Sequence, residues 1–510
     1  YFPWTFFKLK TYFLAWSIFI LYLVATSYLG YLGLKKTQDF SSFAIGDGNM
    51  SPLVVGITLA ASTASAATFI VNPGFVYVHG LSAFMHLGIS VFVGIMCMLI
   101  FASYRFREIG ANNKAVTIPS WLGKRYGSKN MAIYFSVLNL FSFAFLVLLV
   151  GGISIVMQEL LDINNTTALL ITLIFVSLYV IIGGTYAHVF TNLLQGSLMI
   201  IVSLIIIGSG IMLMLDTPDF FGRIASVDPN LTRWVNPESN LYNSIYSIYI
   251  SGFLIGAALV CQPHILTKAL YVKDNKSITR YIVVFAVVYI LFTCLLLAGF
   301  WSLLAVPEAN LVDAVTGNFR QDLVMTQYLE STFPNWLFTI ISVVLLAAAM
   351  STLDGLLVGI STIMANDLFV NLSDKFSKEK KTQEQKYKTA FRASHVIIVL
   401  LATLCFVVSL NPPELLGIYG QFGVYALVLG SLAPIILGIY FEAPSISIAW
   451  TFSVVALSIY TVLYFFGEQL MPGSDIAFAN PAVPAGIAIL GSCIPAIGLN
   501  YFIQKKSKHA

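Results

Sequence analysis

Ala60-Ala61-Ser62-Thr63-Ala64-Ser65-Ala66-Ala67-Thr68, followed by Phe69-Ile70-Val71 and then Asn72-Pro73-Gly74, lies inside an apolar span running from 51 to 79. Small and hydroxylated residues let helices approach closely, and Gly and Pro permit interruption of the helical hydrogen-bond ladder. The stretch therefore predicts a membrane helix broken near its middle. A second span, 241–264, carries Ser251-Gly252, Gly256-Ala257-Ala258 and Gln262-Pro263-His264. Either span alone also fits a tightly packed continuous helix, so their spacing decides. Five spans run from the first interrupted helix to residue 215, and five more from the second to residue 441. Interrupted helices at corresponding places in two halves point to an inverted-repeat transporter with a binding site at the bilayer midplane. An odd number of spans per half turns the second half the opposite way.

Composition agrees with a membrane setting. Charged residues make up 10% of the 510 residues, against roughly 25% in soluble domains. The hydrophobic fraction is 58% and the mean hydropathy +0.86. Windows of about 20 apolar residues yield thirteen candidate spans between residues 12 and 503. The chain thus reads as an all-α integral membrane protein of about thirteen helices. Residues 1–50 hold an extra N-terminal helix, expected to be retained rather than cleaved. Residues 51–215 form the first five-helix repeat, 216–240 an extracellular loop, 241–441 the second repeat, and 442–510 two C-terminal helices and a tail. With the N-terminus outside, 22 of the 27 Lys and Arg face the cytoplasm and five (Lys8, Lys10, Arg223, Arg233 and Arg320) face out, which sets the orientation. The net charge of +4 follows from that topology and gives no sign of a nucleic-acid partner. The five cysteines all fall in apolar spans without CxxC spacing, so neither a disulfide framework nor a zinc site is expected.

All 27 basic residues read as lying at or beyond span ends, and Asp354 is the only one of 23 acidic side chains that reads as deep inside a span, in Met350-Ser351-Thr352-Leu353-Asp354-Gly355. An ionisable group at that depth costs roughly 2.5–3.5 kcal/mol on insertion scales and marks a functional site by default. With hydroxyls two and three residues before it, a cation site is the reading of choice. Simple back-bonding of Ser351 and Thr352 to the preceding turn is the plainer account of the same residues.

The order of Ala-Ala-Ala-Met-Ser-Thr-Leu at 347–353, Gln-Pro-His at 262–264, Gly-Gly-Thr at 183–185 and Asn-Pro-Pro-Glu at 411–414 resembles the sodium:solute symporter family over essentially the whole chain. The 60–80 region and the stretch from Lys273-Asp274 to Arg280 are nearest its pantothenate branch, with the proline branch beside it. The resemblance implies the LeuT-like arrangement of two inverted five-helix repeats with broken first helices. It implies a main sodium site at Ala61, Ala64, Ala348, Ser351 and Thr352, where freed carbonyls and hydroxyls offer the oxygen ligands a hard cation takes. Some relatives carry a carboxylate where this chain has Asn192, and hydroxyls where it has Asp354 and Gly355. The charge has changed helix, which leads to the expectation of a second cation or proton site at Asp354, Asn192 and Ser351. The plainer alternative is a packing hydrogen bond between Asp354 and Asn192.

In such a fold the solute lies between the broken helices and their neighbours, with Ser62, Thr63, Ser65, Phe69, Asn72, Gly256, Gln262, Tyr419, Gln421 and Phe422 as candidate liners and His264 as a candidate gate. Thr63, Ala67, Ile255 and Leu259 stand where proline symporters place an acid and aromatic residues, so proline is disfavoured. With no Lys or Arg expected at that depth, a polyanion is excluded, whereas a neutral compound or small carboxylate is feasible. The expected activity is sodium-coupled symport of a small organic solute (a carboxylate, vitamin or amino-acid-like compound) into the cell across the plasma membrane, with sodium as the coupling ion, no organic cofactor and no enzymatic chemistry. Two readings compete with it. A membrane sensor would bind solute without moving it and expects a cytoplasmic signalling segment after Lys505-Lys506; a symporter of the same build could instead couple to protons.

Overall fold

The computed structural model describes residues 3–65, 67–312, 317–376, 382–412 and 416–509. Pro413 and Glu414 of the 411–414 motif, and part of the charged segment between Asp374 and Lys388, lie outside them. Among the described residues, ten helices are long and apolar enough to cross a membrane: α1 (Tyr12–Lys36), α4 (Leu81–Asn112), α5 (Lys129–Gln158), α6 (Asn165–Asp216), α9 (Asn275–Ala305), α10 (Asn335–Lys375), α11 (Glu384–Ser409), α12 (Leu416–Tyr440), α13 (Ile446–Leu470) and α14 (Ala482–Lys506). Two bent pairs bring the number to twelve: α2 (Pro52–Thr63) with α3 (Ala67–His79), at 56°, and α7 (Tyr246–Leu259) with α8 (Pro263–Tyr271), at 65°.

The 52-residue α6 is itself two membrane segments. At about 1.5 Å per residue a straight helix would set residues 179 and 191 roughly 18 Å apart. Yet Tyr179 Oη and Thr191 Oγ1 both donate to the same oxygen of Asp354, at 2.9 and 3.0 Å. The chain therefore folds back between them, and Gly184 is where it does so, with φ 50° and ψ −136°. That left-handed φ suits glycine, and the two limbs give the thirteen segments that the hydropathy pattern predicts.

The two breaks have different local causes. In α2 the hydroxyls of Ser62 and Thr63 donate back to Thr58 O and Leu59 O, a habit that weakens a helix. Ala64 then leaves helical geometry at φ −82°, ψ 78°, and Ser65 Oγ accepts the Ala67 amide of the next segment. Between α7 and α8, Gln262 takes an extended conformation directly before Pro263, which has no amide hydrogen to continue the ladder. α8 then runs on to Tyr271, so the second broken span reaches seven residues beyond the 264 limit read from hydropathy.

A single large apolar core joins most of these helices. α10 and α12 are its most enclosed members, with 78% and 89% of their apolar windows buried, against 22% for α11. α4 and α7 meet almost backbone to backbone: a Cβ on Gly94 would fall 2.1 Å from Phe253 O, and one on Gly256 2.2 Å from Val91 O. The enclosed α10 and the first break face one another, and the site forms there.

Candidate functional site

A continuous α2 would pair Ala61 O with the Ser65 amide, but that amide turns to Thr63 O. The freed Ala61 O accepts Ser351 Oγ at 2.9 Å, and Ser62 O accepts Thr352 Oγ1 at 3.0 Å. Ser351 Oγ also lies 2.6 Å from Ala348 O. One hydroxyl hydrogen serves two carbonyls there, so the oxygen-rich corner offers more acceptors than donors. Every residue of it is fully buried. Ala61, Ser62, Ala348, Ser351 and Thr352 thus converge from α2 and α10 into a neutral cradle of carbonyl and hydroxyl oxygens, the donor set a hard monovalent cation takes. Ala64 sits at the break itself, its amide still bonded to Ala60 O, and neither hydroxyl reaches its carbonyl among the described contacts. Asn192 Nδ2 ties this wall together by donating to Ser62 Oγ and Ser351 O, both at 2.9 Å. Its Oδ1 is buried with no partner among the described residues.

Asp354 does not bond to Asn192. Its carboxylate accepts Tyr179 Oη, Thr191 Oγ1 and, at 2.8 Å, His188 Nδ1. The trio of Asp354, Asn192 and Ser351 is accordingly split: Asn192 and Ser351 belong to the cradle, and Asp354 to a charged cluster next to it. On the far side of the imidazole, Lys268 Nζ lies 3.3 Å from His188 Nε2 and donates to Thr58 O and Ser62 Oγ, each at 3.0 Å. Lys268 has no solvent exposure. This corrects the expectation that no basic residue lies at membrane depth, and the cause is the continuation of the broken span through α8. The clue was the apolar setting of Ile265-Leu266-Thr267-Lys268-Ala269-Leu270-Tyr271. His188, 166 residues from Asp354, had no local signal. Gly355 makes the contact possible, because a Cβ there would come within 2.7 Å of the His188 ring.

The substrate candidates divide. Thr63, Ser65, Phe69 and Asn72 flank the first break, with Phe69 edge-on to Phe292 at 5.2 Å between centroids, and Gln262 caps the second break, bonded to Leu259 O. Tyr419 and Gln421 are half-buried on α12. Three candidates face elsewhere. The Ser62 side chain is turned to Asn192 and Lys268. Gly256 is packed against the α4 backbone. Phe422 stacks on Tyr460 and packs at a tilt against Tyr464 of α13, at 5.6 and 4.9 Å. His264 is buried, with Nδ1 unpartnered among the described residues. Together with His188, Thr267, Gly355 and Thr362 it lines a small cavity of about 20 Å³, room for about one water.

Paired broken helices around a buried oxygen cradle define a secondary active transporter of the inverted-repeat class. The model of the sodium:solute symporter family matches residues 43–464, and the chain belongs to that family. It is 25% identical to the sodium/pantothenate symporter of Haemophilus influenzae over 457 residues, covering 89% of this chain and 90% of that protein. It is 22% identical to the sodium/proline symporter of Escherichia coli over 400 residues, covering 77% and 76%. Among solved structures it resembles a substrate-bound, outward-open sodium-coupled sialic acid symporter, with a TM-score of 0.72 at 16% identity over 95% of this chain and 97% of that one. The fold is LeuT-like, and the protein is a membrane-embedded sodium-coupled solute symporter rather than an enzyme.

Proposed function

We propose that this protein carries a small organic solute into the cell together with sodium bound in the cradle of Ala61, Ala64, Ala348, Ser351 and Thr352, with Ser62 O as a further ligand. The observation that carries this reading is the meeting of Ser351 Oγ and Thr352 Oγ1 with carbonyls set free by the broken helix. Residues 51–215 and 241–441 act as the two inverted repeats, consistent with a bent pair opening each. In this reading the protein sits in the plasma membrane, and the excess of basic residues on one side supports an N-terminus outside and a C-terminus in the cytoplasm. Lys268 lies within a span and leaves that count, and the remaining asymmetry still points the same way.

The solute is a small carboxylate, vitamin or amino-acid-like compound held near Thr63, Ser65, Phe69, Asn72, Gln262, Tyr419 and Gln421, with His264 at the gate. Lys268 is not available to an anionic solute, because all three ammonium hydrogens already have acceptors. Pantothenate, a monocarboxylate transported by the similar Haemophilus protein, is the first compound to test. In proteoliposomes holding the purified protein, an inward sodium gradient should drive its accumulation, and replacement of sodium by potassium should abolish that accumulation. A carboxylate, vitamin or amino acid taken up equally well without sodium would overturn the proposal.

A further inference from the structure

We propose that the Lys268 ammonium is a second cation tethered to the chain, so that the transporter couples one sodium ion, and not two, to each solute. The inference rests on the sodium cradle proposed above. Lys268 Nζ sits among groups that an alkali ion would also choose: the Thr58 carbonyl, the Ser62 hydroxyl and, through one imidazole, a carboxylate.

With Lys268 as the ammonium, donor counting fixes the tautomer of His188. An ammonium has three hydrogens and no acceptor, so His188 Nε2 must accept from Lys268. The same ring then carries its hydrogen on Nδ1 and donates it to Asp354 Oδ1. The chain of contacts runs from ammonium through neutral imidazole to carboxylate, with Tyr179 and Thr191 donating to the same carboxylate from the other side. His264, Tyr271 and Tyr22 are the other titratable side chains buried nearby, and they add no fixed charge.

One positive group therefore balances one negative group in a region where an unbalanced charge costs several kcal/mol. A free alkali ion entering beside Asp354 would set two cations against one carboxylate. The tethered ammonium also touches the sodium cradle. Ser62 Oγ receives Lys268, while Ser62 O receives Thr352 Oγ1. Asn192 spans Ser62 Oγ and Ser351 O. The second cation position is thus adjacent to the first and already filled.

Equilibrium binding of radioactive sodium to the purified full-length protein tests this without any variant having to fold. One ion per chain is expected. Two per chain would overturn the inference and leave the symport reading standing, whereas none would remove the cradle and the inference together. Lys268→Ala vacates the ammonium position and leaves the carboxylate, so a second sodium ion per chain is expected. Adding Asp354→Asn should return the count to one. A Lys268→Ala protein that still binds a single ion would show that the ammonium does not stand in a cation site.

Discussion

The proposed sodium cradle and the charged cluster share Ser62 as a common wall, yet they are made of opposite materials. The cradle uses neutral oxygens: carbonyls released by a helix break and two hydroxyls from the facing helix. The cluster uses an ammonium, an imidazole and a carboxylate with every donor and acceptor engaged. Neutral dipoles hold a cation firmly enough to admit it and weakly enough to release it, as transport demands. An ammonium and a carboxylate bridged by an imidazole do neither; they lock α2, α6, α8 and α10 to one another. The comparison implies a clean separation: damage to the cradle should appear in sodium affinity, and damage to the cluster chiefly in stability.

The severest test is Asp354→Ala. It strands the Lys268 ammonium in a buried site without its counter-charge, a type of change that costs about 3–5 kcal/mol. The expected result is a large fall in thermal stability of the detergent-solubilised protein, with Asp354→Asn falling less because the amide oxygen can still accept hydrogen bonds. An Asp354→Ala protein as stable as the wild type would show that the cluster holds nothing together. Next in size is Tyr179→Phe, which removes one hydrogen bond to a buried carboxylate, worth about 1.5–3 kcal/mol. It should lower the melting temperature while changing apparent sodium affinity less than any cradle variant does.

How much of this could be read from the chain alone follows the range of the interactions. The break near Ala64, its partner near Gln262, the Ser351–Thr352 hydroxyl pair and the depth of Asp354 are all encoded in local composition, so each was visible. The partner of Asp354 was not visible: the break at Gly183-Gly184-Thr185 reads as a short turn between two spans, and nothing local shows that His188 within that turn reaches inward to a carboxylate 166 residues away. Lys268 was misplaced for a related reason. A hydropathy window stops at the Gln262-Pro263-His264 break, whereas the helix resumes beyond it. Gly256 and Phe422 show the converse error. Each sits on an element that borders the solute region, but helix phase turns one to α4 and the other to α13, and phase across a broken helix cannot be extrapolated from residue spacing.

On the cradle side, Ser351→Ala removes the only hydroxyl that, among the described residues, meets both Ala61 O and Ala348 O. Removing one polar partner of a charged group costs about 1.5–3 kcal/mol, which at 1.4 kcal/mol per decade is roughly a 10- to 100-fold loss of sodium affinity. Titration of sodium against uptake should show that shift with little change in melting temperature. The reverse pattern, a stability loss with sodium affinity intact, would reduce Ser351 to an ordinary helix-packing hydroxyl and dissolve the contrast between the two regions.

The smallest expected effect is also the finest probe of the boundary. Thr191 Oγ1 lies 3.0 Å from Asp354 Oδ2, but it is equally close to the carbonyls of Ala187 and His188 on its own helix, at 2.9 and 3.1 Å. A single hydroxyl hydrogen cannot serve all three, so its bond to the carboxylate is shared and only partly formed. Thr191→Val keeps the shape and should therefore cost about 0.5–1.5 kcal/mol, the range of an ordinary buried hydrogen bond, and less than Tyr179→Phe. Equal losses for the two variants in a thermal-stability assay would mean that Thr191 commits its hydrogen to Asp354. The carboxylate would then be held by three full donors, and the ammonium of Lys268 would matter correspondingly less to its burial.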